Sequence, residues 1–294
     1  GRSVSMSSDG TRVAIGAISN DGSDTNAGHV RVYAESGGTW TQLGGDIDGE
    51  VASDNSGNSV SMSSDGTRVA IGAPYNKGDD NSADGHVRVY VYDDAKTDAP
   101  EKWAQVGGDI DGVATYPYDR FGYSVSLSAD GKRVAIGAQM ADADGSDYAD
   151  NRGYVHVYAE SDGTWTQIGD IDGEAREDRS GTSVSMSSDG TRVAIGAPAN
   201  DGSDTNAGHV RVYTSVSPPP CDASGAITNG ALNDCTSTLA SGSSCTPTCD
   251  TGYTVSGSRS CSSGTLTDTA ACTATPCDAS GAITNGALND CTST

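Results

Sequence analysis

Three aspartates in one short segment have the spacing of a calcium loop. Asp142, Asp144 and Asp147 occur in the stretch DADGSD. Oxygen ligands at alternate positions before a glycine turn are the arrangement with which calcium loops hold their ion. The segment lacks a closing glutamate and a full ligand set. We therefore expect calcium as an optional ligand here, and we expect no cofactor that the chain requires.

Residue types that catalyse reactions are present, but they recur in copies. His29, His86 and His209 share one position in the phrase GHVRVY, and the fourth histidine is His156. A general base would occur once, so these side chains are predicted to pack against neighbouring structure. No serine stands apart as a nucleophile, and carboxylates this abundant are typical of solvated acidic loops rather than of a glycosidase pair. The sequence predicts that the chain is not an enzyme.

A fifteen-residue phrase explains this repetition. SVSMSSDGTRVAIGA occupies positions 3–17, 59–73 and 183–197, and SVSLSADGKRVAIGA occupies 124–138. The copies start 56, 65 and 59 residues apart, which suits one four-stranded propeller blade with its loops. The predicted fold class is all-β, a partial β-propeller of four-stranded antiparallel blades together with a small disulfide-rich β module.

Each copy has the pattern of a strand pair. Val4 and Met6 alternate with serines, and Asp9-Gly10 is a tight-hairpin signal before the returning strand RVAIGA. That strand alternates large with small side chains, so the large face of one sheet can nest on the small face of the next. HVRVY and TWTQLG predict the third and fourth strands, and the repeated DIDG at 46, 109 and 170 predicts a turn where the outer strand ends.

The repeats divide the chain into segments. We predict three complete blades at 1–57, 58–122 and 123–181, followed by a three-stranded blade at 182–216. A proline linker at 217–220 leads to a disulfide module at 221–272 and a truncated second module at 273–294. The first residue is Gly1, and both ends of the chain fall inside a repeat. We expect a fragment of a longer protein whose blades form an open arc.

Charge excludes two classes of partner. The net charge is −23, from 40 acidic and 17 basic side chains, so nucleic acid and anionic membranes are repelled. No apolar run approaches the roughly 18 residues that span a bilayer, so no membrane insertion is expected.

The stretch FGYSVSLSADGKRVAIGA at 121–138, with GAP at 72–74 and 196–198 followed by GHVRVY, resembles the FG-GAP repeat of integrin alpha-chain propellers. The resemblance implies a propeller that works in adhesion at the cell surface. Calcium-binding members of that family carry an aspartate-rich loop between the first two strands. This sequence has SSDGT or SADGK there, so the family's calcium sites are not carried over.

Variation between copies predicts where a ligand binds. The hairpins between the first two strands barely change, whereas the loops after the second and fourth strands vary and lie at the opposite end of each blade. Five aromatic side chains lie among carboxylates at that end and form the predicted ligand-binding set: Tyr75, Tyr116, Tyr118, Phe121 and Tyr148. The alternative is that these loops have drifted without a function.

All eight cysteines follow position 220. No histidine follows His209, so disulfides are favoured over a metal centre, and they imply an oxidising, extracellular or cell-surface location. Between positions 221 and 272, six cysteines permit fifteen connectivities. About 2–4 kcal/mol per bridge would dominate the stability of so small a module.

The string CDTGYTVSGSRSCSSGTLTDTAAC, preceded by NGALND, resembles a sushi, or complement-control, module. The resemblance implies the pairs Cys221–Cys261 and Cys249–Cys272, with Cys235 and Cys245 left for an extra bridge. Leu266 stands where that family has a core tryptophan.

These observations predict an extracellular or cell-surface binding and adhesion module. Its expected partner is an extracellular protein or a carbohydrate, held by the varied propeller loops. The alternatives are an ancillary propeller of a larger secreted enzyme and a structural spacer.

Overall fold

Short antiparallel strands build both units of the computed structural model. It describes residues 1–77, 85–96, 102–112, 119–142, 150–202, 204–214, 221–231, 235, 238–239, 243–262 and 265–275. The chain divides into Gly1–Ser217 and Pro218–Thr294, and each unit is described by itself. Over the described ranges no segment forms an α-helix, and none is a helix long and apolar enough to cross a membrane. The predicted all-β class is confirmed.

The first unit contains four sheets in sequence order. The strands of the first two are β1 (Ser3–Met6), β2 (Arg12–Ala17), β3 (His29–Ser36), β4 (Thr39–Gln42) and β5 (Ile47–Asp48), then β6 (Ser59–Met62), β7 (Arg68–Ala73), β8 (His86–Tyr92), β9 (Trp103–Gln105) and β10 (Ile110–Asp111). The others are β11 (Phe121–Leu127), β12 (Arg133–Ala138), β13 (Tyr154–Ser161) and β14 (Thr164–Asp172), then β15 (Ser183–Met186), β16 (Arg192–Ala197) and β17 (His209–Thr214). The sheets are three complete blades and a three-stranded one, the predicted partial propeller.

The outer strand of the first two blades is interrupted. β4 and β5 both pair with β3, as β9 and β10 both pair with β8, whereas β14 is continuous. Ile47 and Asp48 pair with Val30 and His29, so the DIDG phrase extends the outer strand. The prediction that DIDG forms a turn is wrong, because its alternating isoleucine is buried against the third strand.

Side chains within the repeated hairpin fix its shape. Asp9 accepts hydrogen bonds from the Ser7 hydroxyl at 2.6 Å and the Thr11 amide at 2.9 Å. These donors lower the pKa of Asp9 to about 2. The same contacts recur at Asp65 and Asp189, so the constancy of the hairpin has a local structural cause.

The same phrase also joins each blade to the next. Its first serine donates a hydrogen bond of 2.7–2.8 Å to the carbonyl of a glycine just before or within the first strand of the next blade, in the pairs Ser3–Gly57, Ser59–Gly122 and Ser124–Gly181. A Cβ on Gly72 would lie 2.0 Å from the Gly122 oxygen, so this close approach requires glycine. Identical contacts between neighbours explain why the phrase is copied.

The core lies between successive sheets. Val30, Val32 and Ile47 of the first blade pack against Val60 and Met62 of the second. Equivalent clusters join the second blade to the third and the third to the fourth. The outward faces of the first and fourth sheets are exposed, with Val4 at 70% and Val210 at 69%.

The second unit consists of nine short described strands. They are β18 (Cys221–Asp222), β19 (Gly230–Ala231), β20 (Thr238–Leu239), β21 (Ser244–Cys245), β22 (Thr248–Cys249), β23 (Tyr253–Ser256), β24 (Arg259–Ser262), β25 (Thr265–Asp268) and β26 (Ala271–Ala274). Three disulfides join Cys221–Cys261, Cys235–Cys245 and Cys249–Cys272, the same pairs that the resemblance implies. Leu266 packs against the buried cysteines, and buried Arg259 forms an ion pair of 2.8 Å with Asp268.

Candidate functional site

Strand register brings the varied segments to one end of each blade. Ala17, the last residue of β2, pairs with His29, the first residue of β3, and His29 also pairs with Asp48 at the end of the outer strand. The hairpin beyond Met6 and Val13 lies at the opposite end. The end marked by Ala17, His29 and Asp48, with its equivalents in the other blades, is called the loop end below.

One predicted ligand-binding aromatic lies at the described surface of the loop end. Tyr75 is half-buried, and the guanidinium carbon of Arg120 lies 5.2 Å from the centre of its ring. This cation–π contact joins the loop after β7 to the segment before β11. Tyr116, Tyr118 and Tyr148 lie outside the described residues.

Phe121 corrects the predicted ligand-binding set. It begins β11 opposite Ala138, and its side chain is 0% exposed. Its ring centre lies 6.0 Å from that of His156 and 6.3 Å from those of Tyr154 and Tyr158. A ring enclosed in this way is unavailable to a ligand. The FG phrase marks the start of a core strand, so proximity to a varied loop was a misleading signal.

The expected calcium segment is described at its first aspartate. Asp142 accepts a hydrogen bond of 2.9 Å from the backbone amide of Asn151, so one carboxylate oxygen holds the returning loop. Asp144 and Asp147 lie outside the described residues. The calcium expectation therefore stays a prediction.

Two clusters at the loop end escaped the sequence analysis. In the first blade, Nδ1 of His29 lies 3.5 Å from a carboxylate oxygen of Asp46 and 4.0 Å from one of Asp48. In the second, Nδ1 of His86 lies 3.7 Å from Asp109 and 3.9 Å from Glu50. The paired recurrence of GHVRVY with DIDG was the available signal.

An arginine orients one carboxylate of each cluster. Arg31 holds Asp46 through two hydrogen bonds of 2.8 and 2.9 Å, which lower the pKa of that carboxyl to about 2. Arg88 lies 3.2 Å from Glu50 and also donates to the Asp48 carbonyl at 2.8 Å. Each arginine neutralises one of two carboxylates, so each cluster retains one net negative charge.

The imidazoles of these clusters are neutral near pH 7. Burial, reinforced by Arg88, lowers the pKa of His86 to about 4 against the opposing effect of Asp109. Burial and then Arg31 lower the pKa of His29. Burial raises the pKa of Glu50, and Arg88 opposes that rise. The loop end therefore presents neutral imidazole nitrogens next to carboxylates.

The third and fourth blades vary this arrangement. Tyr154 occupies the histidine position of the third blade, and His156 occupies the arginine position with Nε2 3.2 Å from Asp170. In the fourth blade, Nδ1 of His209 lies 3.7 Å from Glu174, which also pairs with Arg211. A shallow cleft there is lined by Asp172, Gly173, Glu174, Ser180, Ile195, His209, Arg211 and Tyr213.

Buried aspartates hold the loop end in shape. Asp54 is 0% exposed, and one carboxylate oxygen accepts from the amides of Glu50 and Val51 at 3.1 and 3.0 Å and from the Asn76 side chain at 3.1 Å. The bond from Asn76 links the segment between the first two blades to the loop after β7. Asp178 repeats the arrangement, since it accepts a hydrogen bond of 2.9 Å from Asn200.

Comparison with known proteins gives little beyond this geometry. No protein-family model matches the chain, and no curated protein matches it. A similar solved structure is the "putative 6-phosphogluconolactonase" of Bacteroides uniformis ATCC 8492, with a TM-score of 0.47 and 13% identity. The alignment covers 72% of this chain and 49% of that one, so the present chain spans about half its length.

This finding corrects one prediction. The repetition of the histidines and the abundance of carboxylates predicted that the chain is not an enzyme. That prediction is contradicted, because the similar structure bears the name of an enzyme. A likeness of this strength assigns no reaction, substrate or catalytic residue to the present chain.

Proposed function

We propose that the propeller blades form an extracellular recognition module that binds a protein or a glycan at the loop end. The observation that carries the proposal is the contrast between the two ends of the blades. Internal hydrogen bonds explain the constant hairpins, as at Asp9, whereas the segments at the loop end differ from blade to blade. Binding surfaces are commonly built from varied loops on a rigid scaffold.

The loop end has the rigidity and chemistry that recognition needs. Asp54 and Asp178 fix the loop backbone from within, so little ordering entropy is lost on binding. Tyr75 and Arg120 are residue types that dominate interface energies. Exposed carboxylates such as Glu50 and a net charge of −23 favour a partner with basic groups.

Three disulfides and the resemblances to FG-GAP repeats and sushi modules support a location outside the cell. Disulfides persist in oxidising compartments, where small modules depend on them for stability. On this proposal the second unit is a sushi-like module attached to the recognition blades, and the whole chain acts in adhesion.

The test uses the full chain, immobilised and exposed to arrays of extracellular glycans and basic extracellular proteins. For any ligand bound, Tyr75→Ala is expected to weaken affinity by about 1–3 kcal/mol, because an aromatic contact at an interface centre is lost. Asp65→Asn in the constant hairpin is the control and should leave affinity unchanged. Equal losses in both variants, or no ligand on either array, would overturn the proposal; the second result would favour a structural spacer.

A further inference from the structure

Two clusters at the loop end have the donor atoms of a metal centre. His29 lies with Asp46 and Asp48, and His86 lies with Glu50 and Asp109. In each cluster one imidazole nitrogen and two carboxylate oxygens lie within 4.8 Å of one another. Imidazole with carboxylate is a common ligand set of zinc.

An independent observation points to a ligand at both places. The residues His29 and His86 are 5% and 1% exposed, and the Nδ1 atom of each is buried without a hydrogen-bond partner. A buried nitrogen left unpaired costs about 1–3 kcal/mol, so most such atoms in folded proteins are satisfied. Here each Nδ1 faces two carboxylates from 3.5–4.0 Å, beyond hydrogen-bonding distance.

Those separations suit ligands around an ion. Two ligands at about 2.0–2.2 Å from a tetrahedral zinc ion lie about 3.3–3.6 Å apart. The shorter distance in the first cluster, 3.5 Å between His29 and Asp46, already falls in that interval. The others exceed it by 0.1–0.4 Å, and the carboxylates of Asp48, Glu50 and Asp109 are 32–42% exposed, so a small side-chain shift at the surface brings them into that interval.

Charge also favours a cation. Each cluster carries two carboxylates and one arginine, Arg31 or Arg88, around a histidine. The remaining negative charge and the free nitrogen lone pair are both satisfied by a divalent ion. Calcium takes six to eight oxygen ligands, so a set with a nitrogen donor favours a transition-metal ion.

The residues at the cluster positions differ in the third and fourth blades. In the third blade Tyr154 replaces the histidine, His156 replaces the arginine and Val113 replaces the glutamate of the DIDGE phrase. Glutamate, histidine and arginine recur together in the fourth blade as Glu174, His209 and Arg211. Among the described residues, His209 has only the Glu174 carboxylate beside it and no carboxylate from an outer strand of its own blade, so the fourth-blade set offers fewer ligands than the two clusters.

We propose that the His29–Asp46–Asp48 and Glu50–His86–Asp109 clusters are binding sites for a divalent transition-metal ion of the zinc type. Glu50 lies just after the outer strand of the first blade, whereas His86 and Asp109 belong to the second blade. An ion in the second cluster therefore joins adjacent blades at the loop end. The inference does not rest on the proposed function, because it requires no partner.

The experiment titrates ZnCl2 into the metal-stripped full chain by calorimetry. The wild-type chain is expected to bind two more ions than the His29→Gln/His86→Gln double variant, and each single variant one more than the double variant. His209→Gln is the matched control, since it removes a histidine at the same repeat position outside both clusters, and it should bind as the wild type does. Thermal melts followed by circular dichroism verify that each variant is folded.

Asp48→Asn and Asp109→Asn supply a second pair of variants at half-exposed positions, where the substitution does not disturb the core. Each is expected to weaken one zinc site at least tenfold. Cobalt substituted for zinc should give visible absorption bands that the double variant lacks. Zinc binding that is equal in wild type and double variant, or lost equally in His209→Gln, would overturn the proposal. Displacement of zinc by an equal concentration of calcium would overturn its assignment to a transition metal.

Discussion

Replacing Asp54 with alanine tests whether the buried aspartate frames the loop end. The substitution deprives three donors of their acceptor: the amides of Glu50 and Val51 and the side-chain amide of Asn76. A buried donor left unpaired costs about 1–3 kcal/mol. Glu50 lies near solvent, so water can reach part of the gap, and we take the lower value for each. The expected loss is about 3 kcal/mol, which corresponds to roughly 100-fold in the local opening equilibrium.

Hydrogen exchange of the Glu50 and Val51 amides measures this loss directly, because exchange reports local opening. Both amides should exchange on the order of 100-fold faster in Asp54→Ala, while amides in the fourth blade, framed by Asp178, keep their wild-type rates. A urea transition followed by circular dichroism should move to lower urea concentration. Unchanged exchange at Glu50 and Val51 would refute the view that Asp54 fixes this segment.

Three further predictions concern packing, pH and metal. Trp103→Phe should lower the free energy of unfolding, measured with urea, by about 2–4 kcal/mol. The substitution leaves the Leu43 carbonyl without its 2.8 Å hydrogen bond and removes buried apolar area. Trp40→Phe, at a site that is 43% exposed, is the control and should lower it much less. Burial raises the pKa of Tyr158 to about 12, so the fold favours its neutral form. The free energy of unfolding should fall by up to about 2–3 kcal/mol as the pH rises from 10 to 12, because the unfolded chain loses the tyrosine proton first. Thermal melts over this pH range should show a smaller fall in Tyr158→Phe, which has no hydroxyl to ionise. Removal of calcium by dialysis into zinc-containing, calcium-free buffer should leave the melting temperature nearly unchanged; a drop above about 10 °C would contradict the assignment of the hairpins as free of calcium.

The blade architecture was predictable because each element carries a local signal. Alternation at Val4 and Met6 and the Asp9-Gly10 turn define the first hairpin, and they reappear in the structure as β1, β2 and the turn between them. The side-chain bonds between blades, such as Ser3 to Gly57, were not predictable. They depend on how far one sheet is rotated against the next, which no single repeat encodes.

The candidate site was harder to predict because its members are distant in sequence. Glu50 and His86 are separated by a full hairpin and meet because the outer strand of one blade leads into the next. A repeated histidine indicated structure, and that inference is sound for burial, since His86 is 1% exposed. It gave no sign that the Nδ1 atoms of His29 and His86 are buried without a hydrogen-bond partner beside two carboxylates.

Phe121 and Tyr75 show why position along the chain is a poor guide to exposure at this end. Both lie beside varied loops, yet Phe121 is enclosed because it begins a strand, whereas Tyr75 follows one. Phe121 lies under the loops at the start of β11, whereas Tyr75, two residues after the end of β7, is half-buried among them. Ligand contacts at the loop end should therefore be sought after the second strands and between blades, where Tyr75 and Arg120 meet.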